Sequence, residues 1–290
     1  MNRAEFLLSS LFSIPAMNTL KDLKNFGDSL STQSRKTPAL FIGHGSPMNG
    51  IEDNVFSQRW AAMGKEIPLP TAVLVISAHW LTNGTAITAM QQPQTIHDFG
   101  GFPQALFDVQ YPAPGHPELA RQTAQLIQKT KVHLDHDWGL DHGTWSVVKN
   151  MYPDANIPVL QLSIDIRQKP QYHYELAAEL AALRTKGVLI IGSGNMVHNL
   201  RAIDWNNPDG GFAWADEMNE KFKTLITAND HQALIQFQNL GPAAALSIPT
   251  PEHYLPLLYT LGVKDKNDSL SFFNDKTIMG SLSMTSVRLD

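Results

Sequence analysis

The chain has 290 residues, 43% hydrophobic and 17% charged, which suits one large globular domain or two small ones and excludes a disordered chain. A net charge of −5, with Lys and Arg scattered, leaves no basic run for a nucleic acid. Without cysteine there are no disulfides, iron–sulfur clusters or thiolate zinc sites, so any metal must be held by His, Asp or Glu.

The first 37 residues read as an extension outside the core. Their apolar stretch, 6–14, is short, is interrupted by serines and has Glu5 near its only early arginine, Arg3, so it reads as a partly amphipathic extension rather than a cleaved signal. No stretch approaches the ~20 apolar residues of a membrane span, and a cytoplasmic protein without membrane contact is expected.

From Pro38 onward the chain alternates. Apolar, β-branched runs at 39–43, 72–77, 85–89, 158–164, 187–192 and 279–289 read as strands. Between or after them, 117–130, 172–187, 214–230 and 251–262 have helical spacing, with Pro or Glu at several starts and Gly187 as a stop. This order predicts a single α/β domain over 38–290, with a mostly parallel central sheet flanked by helices on both faces. In such sheets ligands collect beyond the carboxyl ends of the strands.

Three of the apolar runs end in small residues and a histidine: "FIGHGS" at His44, "LVISAHW" at His79 and "GSGNMVHNL" at His198. Singly, each reads as a turn cap or a hydrogen-bonded core histidine. Together they fall at the ends of strands far apart in sequence, where two or three imidazoles with open positions make a reactive metal site. "WGLDHGTW" adds Asp141 and His142, and "PTPEHY" adds Glu252 and His253 in what reads as the first turn of a helix, where Glu252 answers the helix dipole. His116, His133, His136, His173 and His231 read as surface residues. "GSGNMV" lacks the third glycine of a dinucleotide loop. A serine nucleophile at Ser46 or Ser77 would need a buried aspartate that the sequence alone does not single out.

Six ordered stretches, "PALFIGHGSPMN", "VISAHW", "TIHDFGGFPQALFDVQYPAPG", "GLDHGTWSVV", "GSGNMVHNLR" and "PTPEHYLPLLY…GSLSM", together resemble the DOPA 4,5-dioxygenase extradiol family of the class III extradiol dioxygenases. The resemblance runs from about Pro38 to the C-terminus. It implies one divalent metal per chain: Fe(II) for cleaving a catechol with O2, with L-DOPA giving 4,5-seco-DOPA, and Zn(II) as the alternative occupant. Carried over by motif, His44 and His79 are metal ligands. His253 is the third, with Glu252 beside it as the alternative. His198 is the acid/base histidine and alternatively a fourth ligand. His142 faces oxygen and substrate. The loop 97–103 lies over the pocket, with His97 and Phe99 toward substrate and Arg201 toward a substrate carboxylate. The partners implied are a small catechol and O2, in a monomer or small homo-oligomer. A zinc-dependent hydrolase or a non-catalytic metal-binding protein on the same scaffold are the rival readings.

Overall fold

The computed structural model describes residues 36–290, so the extension 1–37 lies, apart from its last two residues, outside the described residues. The central sheet has six strands: β1 (Ala39–Gly43), β2 (Ala72–Ser77), β3 (Val159–Gln161), β4 (Val188–Gly194), β5 (Leu270–Phe273) and β6 (Ser286–Leu289). Their order across the sheet is β5-β6-β1-β4-β2-β3. β1, β4, β2 and β3 run parallel, while β6 is antiparallel to both its neighbours. The strands are solid apolar runs because both faces are covered. Side chains alternate across the pleat: Phe41, Leu74, Ile76 and Ile190 enter one core, and Leu40, Ile42, Val73, Val75 and Ile191 enter the other.

Four helices cover the first face: α2 (Pro117–Leu126), α4 (Pro170–Arg184), α5 (Ala213–Thr227) and α6 (Leu255–Gly262). Two cover the second: α1 (Val55–Glu66), through Trp60 and Met63, and α3 (His142–Met151), through Trp145 and Val148. The mostly parallel α/β architecture expected from the alternation of elements is therefore present.

Three expected elements change in the structure. The run 158–164 breaks after Gln161, because the Leu162 amide still donates to Val75 while the Ser163 amide has moved to Ala86. The chain changes partner there, and Thr85–Thr88 pairs with Val132–Asp135 outside the main sheet. The run 279–289 divides into Leu282–Ser283 and β6, after a turn in which Met279 and Gly280 both have positive φ, 50° and 77°. The last helix starts at Leu255 with Pro256 inside its first turn, so Glu252 and His253 belong to the turn before it. Helices α1 and α3 escaped the sequence reading. Asn54 caps α1 with a capping box, and Asp141 caps α3 by accepting from the Thr144 amide.

The two glycines of "GSG" have a packing cause. A Cβ on Gly192 would strike the Pro256 carbonyl, and one on Gly194 the His253 carbonyl. β4 thus lies directly against the turn that carries His253, and the Asn195 amide donates to the His253 carbonyl at 2.8 Å.

Candidate active site

The order β1-β4-β2 sets His44, which follows β1, beside His79, which follows β2, with the end of β4 between them. His198 lies beyond β4, its amide donating to the Ser247 carbonyl at 2.8 Å. His142 opens α3. All four, together with His253, line one cavity of about 550 Å³ at the carboxyl edge of the parallel strands. Ring centroids are 5.1 Å apart for His44 and His79, 3.9 Å for His79 and His142, and 5.4 Å for His44 and His253. The ligand nitrogens of His44, His79 and His142 fall within 4.8 Å of one another, as do those of His198, Glu252 and His253.

Hydrogen bonds assign the tautomers. Ser193 Oγ donates to the Gly143 carbonyl at 2.5 Å, so its remaining role toward His44 Nδ1, 3.0 Å away, is acceptor. His44 therefore carries its proton on Nδ1 and leaves Nε2 bare. His142 Nδ1 donates to Asp98 Oδ2 at 3.0 Å, and His79 Nδ1 lies 3.3 Å from the same oxygen. His253 Nδ1 meets Glu252 Oε1 at 3.3 Å. Four Nε2 atoms are thus left with lone pairs. Those of His44 and His79 face each other 3.2 Å apart. Two bare lone pairs at that range repel each other. The separation does suit two nitrogens each about 2.0–2.1 Å from one ion. The donor set fits a divalent metal, and no disulfide or thiolate competes for it.

The charge states agree. Burial first, then the repulsion of the surrounding imidazoles, holds His44 and His253 well below the usual imidazole range. Burial and the neighbouring His142 bring His79 down to about 3, against the opposing pull of Asp98. Burial brings His198 down to about 4. Each is a neutral donor at pH 7, as metal ligation requires. Burial tends to raise Asp98, but the hydrogen bond and charge of His142 outweigh it, and the carboxyl stays ionised below the usual range. Asp98 is the site residue that sequence reasoning passed over. It sits inside the quoted "HDFGGFP" between two residues that were named, and only the fold brings it onto His79 and His142.

Asp141 is the buried aspartate that a serine nucleophile would need, but the geometry removes that reading. Ser77 is fully buried and donates straight to Asp141 Oδ1 at 2.7 Å, with no histidine between them. Gln161 donates to the other oxygen at 2.6 Å, and together these bonds hold the start of α3 against β2. Gly143 follows from the same crowding, since a Cβ there would lie 2.5 Å from Ser77 Oγ and 2.9 Å from the His79 ring.

Phe99 lines the cavity, edge-on to His142 at 5.6 Å. His97 does not: its Nε2 meets the Val109 carbonyl at 3.0 Å, and its ring packs edge-on behind Phe99 at 5.8 Å. Arg201 is exposed outside the cavity wall. His173, read as a surface residue, is fully buried beneath the sheet and hydrogen-bonded to the Tyr259 hydroxyl at 3.0 Å.

Residues 38–284 match the family model described as the catalytic LigB subunit of aromatic ring-opening dioxygenase, and the chain belongs to that family. It is similar to the 4,5-DOPA dioxygenase extradiol of Escherichia coli, 48% identical over 88% of this chain and 96% of that one. The enzyme of the same name from Beta vulgaris is 35% identical over 86% and 95%. A crystal structure of an uncharacterized Escherichia coli K12 protein superposes with a TM-score of 0.75 at 41% identity, covering 88% of this chain and all of that one. The chain is an extradiol ring-cleavage dioxygenase. The family's chemistry depends on a metal, and the buried histidine cluster is built to hold one. No helix among the described residues is long and apolar enough to cross a membrane.

One prediction follows from the tautomers. Ser193→Ala removes the acceptor that keeps the His44 proton on Nδ1, and outer partners of this kind are worth roughly 10–100-fold in metal affinity. A loss of about tenfold is expected when Fe(II) or Zn(II) is titrated against a chelator, and unchanged affinity would refute the tautomer assignment.

Proposed function

We propose that the chain cleaves substituted catechols, L-DOPA among them, with O2 at an Fe(II) centre. His44, His79 and His253 hold the metal, His198 serves as acid/base and His142 faces oxygen and substrate. The carrying observation is that five histidines line one cavity at the sheet's carboxyl edge, with the Nε2 atoms of His44 and His79 3.2 Å apart. When bound, the metal supplies Lewis acidity toward the catechol oxygens and a redox route to O2.

The chain's own residues do the rest. Phe99 and Phe102 wall the ring side of the cavity and limit water. Asp98 keeps the Nδ1 proton on His142, so that its Nε2 accepts. The ring of His198 stacks on His253 at 3.5 Å between centroids and 6° from parallel. Nitrogen lone pairs lie in their ring planes, so these two stacked rings aim their lone pairs along parallel planes rather than toward each other. This favours His198 as the base that takes a phenolic proton and later returns it. L-DOPA as a substrate comes from the names of the relatives. Opening its ring breaks one carbon–carbon bond beside the diol and places both oxygen atoms of O2 in the product.

Anaerobic loading of the metal-free protein with Fe(II), followed by L-DOPA and oxygen, tests this. One O2 consumed per catechol, with a yellow ring-opened product, is expected. Ester hydrolysis by the Zn(II)-loaded protein, with no oxygen uptake by the Fe(II)-loaded one, would instead make the chain a zinc hydrolase.

A further asymmetry bears on Asp98. Asp98 Oδ2 faces both imidazoles while Oδ1 accepts from the His142 amide at 2.9 Å, so in Asp98→Asn the side-chain NH2 must oppose either the two imidazole N–H groups or that backbone N–H. We predict a fall in kcat of about 10–100-fold, read in the same oxygen-uptake assay.

A further inference from the structure

The walls of the cavity carry a message about substrate that the names of the relatives do not. Away from the histidines the lining is apolar: Met48, Phe99 and Phe102 on one side, and Leu200, Ile203 and Trp205 on the other. Among the described residues that line it there is no lysine or arginine. The one carboxylate, Asp98, is already engaged by His142 and His79. Arg201, the nearest cation in sequence to this wall, is exposed outside the cavity.

The apolar wall at the mouth is held in place. The Asn199 amide donates to Ser281 and the Asp204 amide to Met279, at 3.1 and 2.9 Å, which ties both ends of the segment 200–204 to the strand region behind it. Met279 adopts a φ of 50°, an uncommon backbone for a residue with a Cβ, in the same wall. Leu200 on this segment is 60% exposed, and Trp205, just after it, is 77% exposed. Scattered exposed apolar residues need no account, but two that border the same cavity form a continuous apolar surface from the metal site outward.

We infer that this site selects catechols whose ring substituent is uncharged and apolar, with Trp205 and Ile203 as the residues that determine the preference, and that L-DOPA is the poorer substrate. The inference rests on the ring-cleavage reading above. With its ring at the histidines and its side chain toward the mouth, L-DOPA would bring an ammonium and a carboxylate against this wall. A carboxylate taken from water without a partner is costly, and no cation among the described lining residues offers one. An alkyl chain of the same length is instead drawn in by the apolar surface it covers.

The test compares 4-propylcatechol, which matches the side-chain length of L-DOPA without its charges, with L-DOPA itself on the Fe(II)-loaded full chain in an oxygen electrode. We expect kcat/KM to favour 4-propylcatechol by at least about tenfold, mostly through KM. Trp205→Ala should raise KM for 4-propylcatechol about fivefold and leave its kcat, and the KM for L-DOPA, within about twofold. Trp205→Arg, which adds a cation at the mouth on an exposed position where folding is not at risk, should narrow or invert the preference. Equal or better use of L-DOPA by the unaltered protein overturns the inference while leaving ring cleavage intact, and so does an equal effect of Trp205→Ala on both substrates. No oxygen uptake with either catechol overturns the ring-cleavage reading and the inference with it.

Discussion

A His198→Gln enzyme is expected to keep its metal and lose its turnover. Glutamine preserves a planar polar end but cannot exchange a proton near neutral pH. A positioned acid/base typically contributes 10²–10⁴-fold, so kcat should fall by about that factor, with KM for the catechol little changed. Because the His198 ring is stacked on His253 at 3.5 Å rather than sharing its plane, metal affinity should stay within about threefold. The two readouts separate the roles: a loss of metal of tenfold or more, together with the loss of rate, would make His198 a fourth ligand. The comparison needs Fe(II) content measured on the same samples as oxygen uptake.

The largest stability effect is expected far from the site, at Arg184 and Asp268. Arg184 is fully buried at the end of α4, and its guanidinium meets Asp268 Oδ2 at 2.5 Å and Oδ1 at 3.2 Å. It also donates to the carbonyls of Thr37, Val263 and Leu289, so one side chain joins β1, the end of α6, β6 and the loop that holds Asp268. Asp268→Ala leaves that guanidinium buried without its counter-charge, and removing one partner of a buried pair costs about 3–5 kcal/mol. Urea denaturation followed by tryptophan fluorescence should read that loss, and a change below about 1 kcal/mol would contradict it. Replacing such a pair with apolar residues is often neutral, but here Arg184→Met with Asp268→Leu also strips a donor from three carbonyls. The double variant is therefore expected to remain well below the parent.

The same pair gives a pH signature. Burial pushes Asp268 up, but the hydrogen bonds from Arg184 and Lys36 outweigh it and hold the carboxyl below its ordinary value. A depressed folded pKa means that the stabilisation is fully present above the unfolded value of about 3.9 and is lost as pH falls through the folded value. The stability gap between the parent and Asp268→Ala should accordingly be constant from pH 5 to 7 and shrink only below about pH 4. A gap that closes near pH 6 would point to a histidine instead.

Legibility differed between the elements and the site. β1, β2 and β4 could be read because strands covered on both faces need unbroken apolar runs, and such runs are local facts. The run 158–164 could not, because Ser163 leaves the sheet for a partner, Ala86, that lies 77 positions away. Helix α3 was hidden for a similar reason. Its buried face is continuous through Trp145, Val147 and Val148, and its cap, Asp141, is satisfied by Ser77 and Gln161 from two different strands. His173 looked like one more polar residue on a helix, and only the packing of α6 on α4 puts it in the interior beside Tyr259.

The amino-acid order by itself determined that imidazoles stand just beyond several strand ends, that no thiolate competes with them, and that six stretches share a ring-opening family's pattern. It did so because strand propensity, glycine turns and residue chemistry are carried by neighbours in the chain. Only the tertiary structure decided the rest. The order β1-β4-β2 sets His44 3.2 Å from His79, Ser193 and Asp98 choose which nitrogen of each ring is bare, and the segment 200–205 gives the mouth an apolar wall while leaving Arg201 outside. Those are relations between residues up to 149 positions apart, and they exist only once the sheet order and the packing of helices on it have been set.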